Sequence, residues 1–358
     1  MSKRIIKGPT TILYHTYVAD MAGCGYIRCI FPSMLVSQYV HKKTIRFIPS
    51  YGMYFINDPA FYKNQMFTIF QRSATPEQLK LVLYFKQNFK QKTNTPLLYE
   101  IDDLLTDIPD WNYASDYYKK YSKVAIEIMK NMDGMIVSTN KLKEIYSKYC
   151  SKIKVVPNHL VKGFWGEAKY IEQQNKKLRI LWSGSGNHFA TKKGQSGGDF
   201  GKELLSFINK TTDKYQWVIV GGCPQEIKEN NKIEKHGWIP LLEYPNYMKS
   251  LKIDLAIAPL EQNLFNECKS NIKALEYTAS GIPAIYTNIE PYKNMTVVCD
   301  TEEWMIHQIE MYLSNPYKLK ELWNKDYKKL KSQLFWEDNN NLTKYLNKMF
   351  DIFNSKLY

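Results

Sequence analysis

Four groups of residues have types and spacings suited to chemistry on phosphates and hydroxyls. The first is Lys269-Ser270-Asn271, followed five residues after Asn271 by Glu276. The tripeptide stands at the expected start of a helix. An ammonium, a hydroxyl and unsatisfied backbone N–H groups meet there, which suits a phosphate. Glu276 is a carboxylate able to accept hydrogen bonds from sugar hydroxyls. The second group is Asp102-Asp103, directly after the apolar run Pro96–Ile101. Open α/β sheets place their sites beyond the carboxyl ends of strands, and a carboxylate there can take the proton of an attacking hydroxyl. A helix cap or a strand-end salt bridge is the alternative for either aspartate. The third group follows a β-branched and aromatic run, Thr10–Tyr17. A loop with Gly23 and Gly25 leads to a helix expected over Tyr26–Val40, with Arg28 in its first turn. Strand, Gly-rich loop and helix is a phosphate-cradling order, although the full G-x-G-x-x-G fingerprint is absent. Arg28 can meet a donor phosphate or an acceptor phosphate, or be a surface arginine. The fourth group is Ser183-Gly184-Ser185, in a long Gly/Ser loop that also carries Lys192 and Lys193. Its backbone N–H groups suit a diphosphate, and its length allows it to close over a substrate.

α/β repeats must position these groups. Short apolar runs at Thr44–Pro49, Met66–Gln71, Pro96–Ile101, Gly134–Thr139 and Lys152–Asn158 read as strands. Between them, Thr75 caps a helix whose first turn holds Pro76 and Glu77. Val161–Lys177 is polar and charged and reads as a linker between a domain over residues 1–165 and a second over 166–335. In the second domain, strands begin at Leu178 and at Gln216. Ile253–Leu260 is nearly continuous in apolar residues, as a parallel sheet requires. Asn271–Ile285 then reads as a helix with Leu275 on its buried face, a left-handed stop at Gly281, and a strand that restarts after Pro283. A terminal helix is expected over Trp336–Tyr358.

Composition narrows the function classes. The chain has 358 residues, 44% of them hydrophobic and 23% charged, which describes a globular protein with room for two α/β domains. No apolar run approaches the ~18 residues of a membrane span, and the basic N-terminus is too interrupted to read as a signal peptide. The six cysteines lack metal-ligand spacing and read as reduced thiols of a cytoplasmic protein. A net charge of +14 favours a polyanionic partner. Asp107–Lys123 interleaves Trp111, Tyr113, Tyr117 and Tyr118 with Lys119, Lys120 and Lys123. Rings to stack on a base or sugar and ammonium groups for phosphates suit an acceptor channel. Tyrosines packed on a sheet from an amphipathic helix are the alternative. Trp111, Tyr113, Lys119 and Lys120, with Tyr26 at the first helix, are the acceptor-binding candidates.

The string S-N-I-K-A-L-E-Y-T-A-S-G-I-P resembles the carboxyl-terminal domain of GT-B glycosyltransferases, in which a helix after a strand carries a glutamate that grips the ribose of a nucleotide-sugar. Y-E-I-D-D-L-L-T-D-I-P resembles a recurrent segment of bacterial and phage members, at the point where the acceptor enters. The order V-S-T, helix, V-V-P-N resembles the end of their N-terminal domain. H-G-W-I-P resembles the turn beside the nucleotide base, which makes Trp238 and Ile239 base-pocket candidates, with core packing the rival for Trp238. The resemblance implies an α/β GT-B fold: two Rossmann-like domains with parallel sheets facing a central cleft, and a C-terminal helix (336–358) crossing back. It implies that Gly25, Arg28, Ser183, Gly184, Ser185, Lys192, Lys269, Ser270, Asn271 and Glu276 bind the donor. Asp102 or Asp103 would be the base of an inverting transfer, or would orient the acceptor in a retaining one. Many retaining members hold a second glutamate eight residues before the first, on the donor sugar; that position here is Cys268. The outline resembles bacteriophage glycosyltransferases that decorate hydroxymethylcytosine. The expectation is a monomer that moves glucose or a pentose such as arabinose from a UDP-sugar to double-stranded DNA, with no tightly bound cofactor and no dedicated metal ligands. The alternatives are a transferase of cell-surface or capsular glycan, and a non-catalytic nucleotide- or DNA-binding protein.

Overall fold

The computed structural model describes residues 12–21, 23–39, 45–51, 65–90, 95–190 and 197–352. The chain forms two compact units. One comprises Met1–Asp107, Tyr117–His159 and Phe335–Tyr358; the other comprises Ile108–Asp116 and Leu160–Leu334.

The first unit is built on a six-stranded sheet of β1 (Ile12–Val18), β2 (Ile45–Tyr51), β3 (Gln65–Gln71), β4 (Leu97–Ile101), β5 (Gly134–Val137) and β6 (Ile153–Val155). Their order is β2-β1-β3-β4-β5-β6, and every pair is parallel. β4 and β5 are buried along their whole length, as strands covered on both faces must be. Polar Gln71 and Glu100 lie opposite one another at the carboxyl ends of β3 and β4. Helix Pro76–Phe85 starts as its sequence demands. Thr75 Oγ1 accepts from the Gln78 N–H (3.3 Å), and Gln78 Oε1 accepts from the Thr75 N–H (3.0 Å).

The first helix departs from expectation. Gly23 and Gly25 are not loop residues: Gly23–Gly25 is already helical, Tyr26–Ile30 widens to a π turn, and Phe31–Tyr39 continues as α-helix. Asp20 sets this early start, because its Oδ1 accepts the Gly25 N–H at 3.2 Å. Pro32 has no N–H to offer the preceding turn, and the wider turn just before it absorbs the mismatch. The terminal helix starts later than expected, spanning Asn341–Asp351, and residues 353–358 of that expectation lie outside the described residues. Trp336 lies before it, buried between His159 (ring centroids 4.3 Å apart) and Tyr345 (5.5 Å).

The second unit holds β7 (Arg179–Gly184), β8 (Gln216–Gly221), β9 (Glu234–His236), β10 (Leu255–Ala258), β11 (Ala284–Thr287) and β12 (Val298–Cys299). They are parallel in the order β12-β11-β10-β7-β8-β9. This is a doubly wound sheet, and its strand order reverses between β7 and β10. Its core joins Trp182, Trp217, Ile219, Leu204, Ile208, Ile257, Ile285 and Ile309, and each such side chain contributes on the order of 2 kcal/mol by burial. The helix after the β7 loop spans Lys202–Lys210. Glu302 caps it from elsewhere in the chain, accepting from the Gly201 N–H (2.5 Å) and the Leu204 N–H (3.2 Å). Helix Ile272–Ala279 ends at Gly281 with φ +78°. Among the described residues no helix is long and apolar enough to cross a membrane, and none of the six cysteines is joined in a disulfide.

Candidate functional site

In a doubly wound sheet, ligands bind where the strand order reverses, beyond the carboxyl ends of the two strands that flank the reversal. In the second unit these are β7 and β10, and the loops that follow them supply a connected cluster of charged groups. After β7 come Ser185, the 3-10 turn Gly186–His188 and Asp199; after β10 come helix Leu264–Glu267 and Lys269-Ser270-Asn271. Asp199 joins the two loops. Its Oδ1 accepts from the Glu261 N–H (2.9 Å) and from Asn266 Nδ2 (2.6 Å). Its Oδ2 lies 2.5 Å from His188 Nδ1 and 3.7 Å from Lys269 Nζ.

Lys269 Nζ is buried and hydrogen-bonds no described residue, although it sits 5.0 Å over the Phe265 ring and beside Asp199. A buried ammonium with unsatisfied donors is costly, and an anion would complete it. One helical turn on, Lys273 is also buried. Its ammonium donates to the Ser183 carbonyl and lies 5.0 Å over the Trp182 ring. Burial pushes Lys273 down to about 8, with Glu276 opposing the shift and Lys269 adding to it. Glu276 is half-buried on the next turn of the same helix. Burial raises its carboxyl to about 7 against the pull of Lys273 and a hydrogen bond shared with Tyr244. The Tyr244 hydroxyl oxygen also lies 3.0 Å from Ser183 Oγ. Burial works against charge on Asp199 too, but Lys269 and the His188 contact outweigh it and hold this carboxyl below the usual range. These contacts join Tyr244, Glu276, Lys273, Lys269, Asp199 and His188 into one cluster that holds a hydrogen-bonding hydroxyl and carboxylate, two cations and a carboxylate–imidazole pair.

Lys269, Ser270, Asn271 and Glu276 therefore belong to one stretch of chain with the charges just described. Asn271 does not cap its own helix; its amide exchanges two hydrogen bonds with Gln333 (3.2 and 3.0 Å). Ser183 is not a free phosphate cradle. It is buried, its N–H and Oγ both donate to the Tyr277 hydroxyl (3.3 Å each), and Lys273 occupies its carbonyl. Gly184 serves by lacking a side chain, because a Cβ there would lie 2.6 Å from Lys273 Nζ. Ser185 Oγ accepts from the Asn187 N–H at 3.4 Å and so helps shape the turn. Trp238 is 64% exposed, which removes the core-packing alternative, and Ile239 beside it is half-buried. Lys192 lies outside the described residues.

In the first unit, Arg28 is not a surface arginine. It is buried, with Nε on Glu100 (2.7 Å) and a terminal nitrogen on the Val156 carbonyl (2.7 Å) and Asn158 Oδ1 (2.8 Å). Burial opposes its charge, but Glu100 more than compensates. Three interior acceptors thus engage a guanidinium that the sequence left open to phosphates. The Gly25 N–H is likewise taken by Asp20, and a Cβ on Gly25 would strike the Asp20 carbonyl. Asp102 and Asp103 are both salt-bridged by one residue, Arg72: Nε to Asp102 (2.5 Å) and the terminal nitrogen to Asp103 (2.5 Å). Arg72 itself sits at φ +46°. Asp103 remains the more open of the two, at 30% side-chain exposure against 13%.

The acceptor candidates separate. Trp111 is not an open stacking platform. It is buried, donates its indole N–H to Glu261 (2.8 Å), packs against Gly197 and groups with the second unit. Tyr26 is half-buried against Phe31 and the apolar cluster of Val18, Cys29 and Ile30. Tyr113, Lys119 and Lys120 are exposed.

The sequence reading missed Lys273, Tyr244, Arg72 and the His188–Asp199 pair. Lys273 carried a signal, since it stands three residues before Glu276 on the same helix face and four after Lys269. The others carried none, because nothing in their local spacing marks the contacts that Tyr244, Arg72 and Asp199 make with distant segments. Among the described residues no three His, Cys, Asp or Glu side chains are placed to hold a metal ion.

No protein-family model and no curated protein sequence matches the chain. Solved structures do match its fold. The lipopolysaccharide outer core galactosyltransferase WaaB is 14% identical, with 96% of this chain and 99% of that one aligned at a TM-score of 0.55. The Candida albicans trehalose-6-phosphate phosphatase N-terminal domain is 8% identical, over 98% of both chains, at 0.58. A T4 phage BGT mutant in complex with UDP-glucose is 11% identical, over 94% of this chain and 99% of that one, at 0.55. With its two parallel α/β sheets, the chain has the GT-B glycosyltransferase fold.

Proposed function

We propose that the protein is a glycosyltransferase that moves a sugar from a UDP-sugar to the hydroxymethyl group of 5-hydroxymethylcytosine in duplex DNA. The observation that carries the donor half is the buried Lys269 ammonium without a hydrogen-bond acceptor, beside Asp199 and within electrostatic reach of Lys273. In this reading the diphosphate completes Lys269 and Lys273, the ribose hydroxyls donate to Glu276, and exposed Trp238 covers the base. As the acceptor oxygen bonds to the anomeric carbon, the bond from that carbon to the diphosphate breaks. The two ammonium groups then neutralise the leaving nucleotide. The acceptor proton passes to Asp102 or Asp103 if the anomeric centre inverts; if it is retained, the pair held by Arg72 orients the acceptor.

Duplex DNA as acceptor is supported by the net charge of +14 and by exposed Tyr113, Tyr117, Lys119 and Lys120. It is also supported by the likeness, at a TM-score of 0.52, to a structure described as the DNA modifying enzyme beta-glucosyltransferase. Glucose or a pentose such as arabinose is the transferred sugar. Transfer to a cell-surface glycan is the second reading, favoured by the likeness to WaaB.

The test uses labelled UDP-glucose, UDP-galactose and UDP-arabinose with DNA that contains or lacks 5-hydroxymethylcytosine. Label is expected in the modified nucleoside, reduced about 100-fold or more by Glu276→Ala. Label appearing only in lipid-linked or oligosaccharide acceptors replaces DNA with glycan. Nucleotide binding without transfer or donor hydrolysis leaves a binding protein and ends the enzyme reading.

A further inference from the structure

The cluster of charges accounts for the nucleoside and the diphosphate of a donor but leaves its sugar without a partner. Cys268, where a sugar-contacting carboxylate would stand in the related pattern, is 0% exposed and cannot reach a ligand. Something else must recognise the sugar if the protein distinguishes one donor from another. His188 stands in the same cluster, close to Lys273 and paired with Asp199.

We propose that His188, oriented by Asp199, accepts a hydrogen bond from a hydroxyl of the donor sugar and so helps set which sugar is transferred. The proposal rests on the donor reading above. Asp199 is ionised, so His188 Nδ1 must carry the hydrogen of their 2.5 Å contact. The lone pair is then left on Nε2, which has no hydrogen-bond partner among the described residues. The ring cannot swing, because it meets Trp182 edge to face at 5.6 Å and is largely buried. A Cβ placed on Gly184 would lie 2.6 Å from Lys273 Nζ and 3.0 Å from His188 Cδ2. The imidazole and the ammonium are therefore close neighbours, so that a sugar held by one would lie beside a phosphate held by the other. Burial, reinforced by Lys269 and Lys273, pushes His188 down to about 3 despite Asp199. The ring stays neutral across the working range, and a neutral ring with Nδ1–H can only accept at Nε2. That suits a hydroxyl rather than a phosphate oxygen, which offers no hydrogen.

The experiment compares UDP with UDP-glucose, UDP-galactose and UDP-arabinose by titration calorimetry, in wild type, His188→Phe and His188→Gln. His188→Phe keeps a ring and removes the lone pair; His188→Gln restores a carbonyl acceptor. In His188→Phe, affinity for the preferred UDP-sugar is expected to fall about tenfold, UDP affinity by less than twofold, and His188→Gln to recover part of the loss. Equal losses for UDP and the UDP-sugar, or no loss for either, overturn the assignment while leaving the donor site in place. Wild-type protein that binds neither UDP nor any UDP-sugar overturns the donor reading and this one with it. Should the variants fail to fold, 15N-histidine NMR of the wild type decides. One of the six histidines must show its unprotonated ring nitrogen shifting with the UDP-sugar and not with UDP; no such shift overturns the proposal.

Discussion

Lys273 and Glu276 share one helix face, and burial moves them in opposite directions, to about 8 and about 7. Each is needed in its charged form to hold a nucleotide-sugar, Glu276 for ribose and Lys273 for diphosphate. Glu276 gains charge as pH rises through about 7, so donor affinity should climb there. Lys273 loses charge as pH passes about 8, so affinity should fall beyond. UDP-glucose binding is therefore expected to peak between these values, in a narrow bell whose limbs belong to the interacting pair. Calorimetry at constant ionic strength from pH 5.5 to 9.5 reads it. Lys273→Met should abolish the alkaline limb and weaken binding at least tenfold at neutral pH; a profile flat from pH 6 to 9 would contradict both assignments. Asp102 and Asp103 show a different use of charge, because one guanidinium holds both carboxylates in place at a strand end.

At the scale of elements, helix Ile272–Ala279 presents Lys273 and Glu276, and its end fixes how they face. Gly281 closes it at φ +78°, and a Cβ there would come within 2.3 Å of the Lys169 carbonyl oxygen. The Ser280 N–H bonds the Glu276 carbonyl, and the Ile282 N–H that of Tyr277 (2.9 Å each). Gly281→Val should combine left-handed strain with this clash and destabilise the protein by about 2 kcal/mol or more. A lowered urea midpoint with an unchanged slope is the expected signature; a loss under about 0.5 kcal/mol would mean that the cap is not needed. The start of the same helix behaves differently from its neighbours. Thr75, Thr139, Asn263 and Thr301 each cap their own helices, whereas Asn271 turns to Gln333. The first-turn N–H groups beside Lys269 are thus left without a side-chain cap, which suits an incoming phosphate.

For the whole molecule, 49 basic against 35 acidic side chains matter through long-range attraction. If duplex DNA is the acceptor, its affinity should fall linearly on a log–log plot as salt rises from 50 to 200 mM, the signature of counterion release. Lys119→Glu with Lys120→Glu should flatten that slope by about 2, since each replaced lysine removes roughly one phosphate contact. Fluorescence anisotropy with a hydroxymethylcytosine duplex measures both. An unchanged slope would remove this helix from the acceptor surface.

Much of the architecture was legible along the chain because it rests on local chemistry. The apolar run Ile253–Leu260, the Thr75–Pro76–Glu77 start and the Gly281–Ile282–Pro283 stop each encode their element through neighbours a few residues away. The same locality put Lys269 and Asn271 just before the start of the helix that carries Glu276. What the sequence could not determine is which polar groups have partners. Arg28 meets Glu100 and Asn158, 72 and 130 positions away, and a buried guanidinium is stable only with such acceptors. Trp111 is covered through Glu261, 150 positions on, while Trp238 stays open. His188 and Asp199 acquire their shared role only where the loops after β7 and β10 converge. Periodicity and capping decide where strands and helices begin and end. Burial and pairing between distant segments decide whether a charge is structural or left for a ligand, and only the tertiary fold sets those.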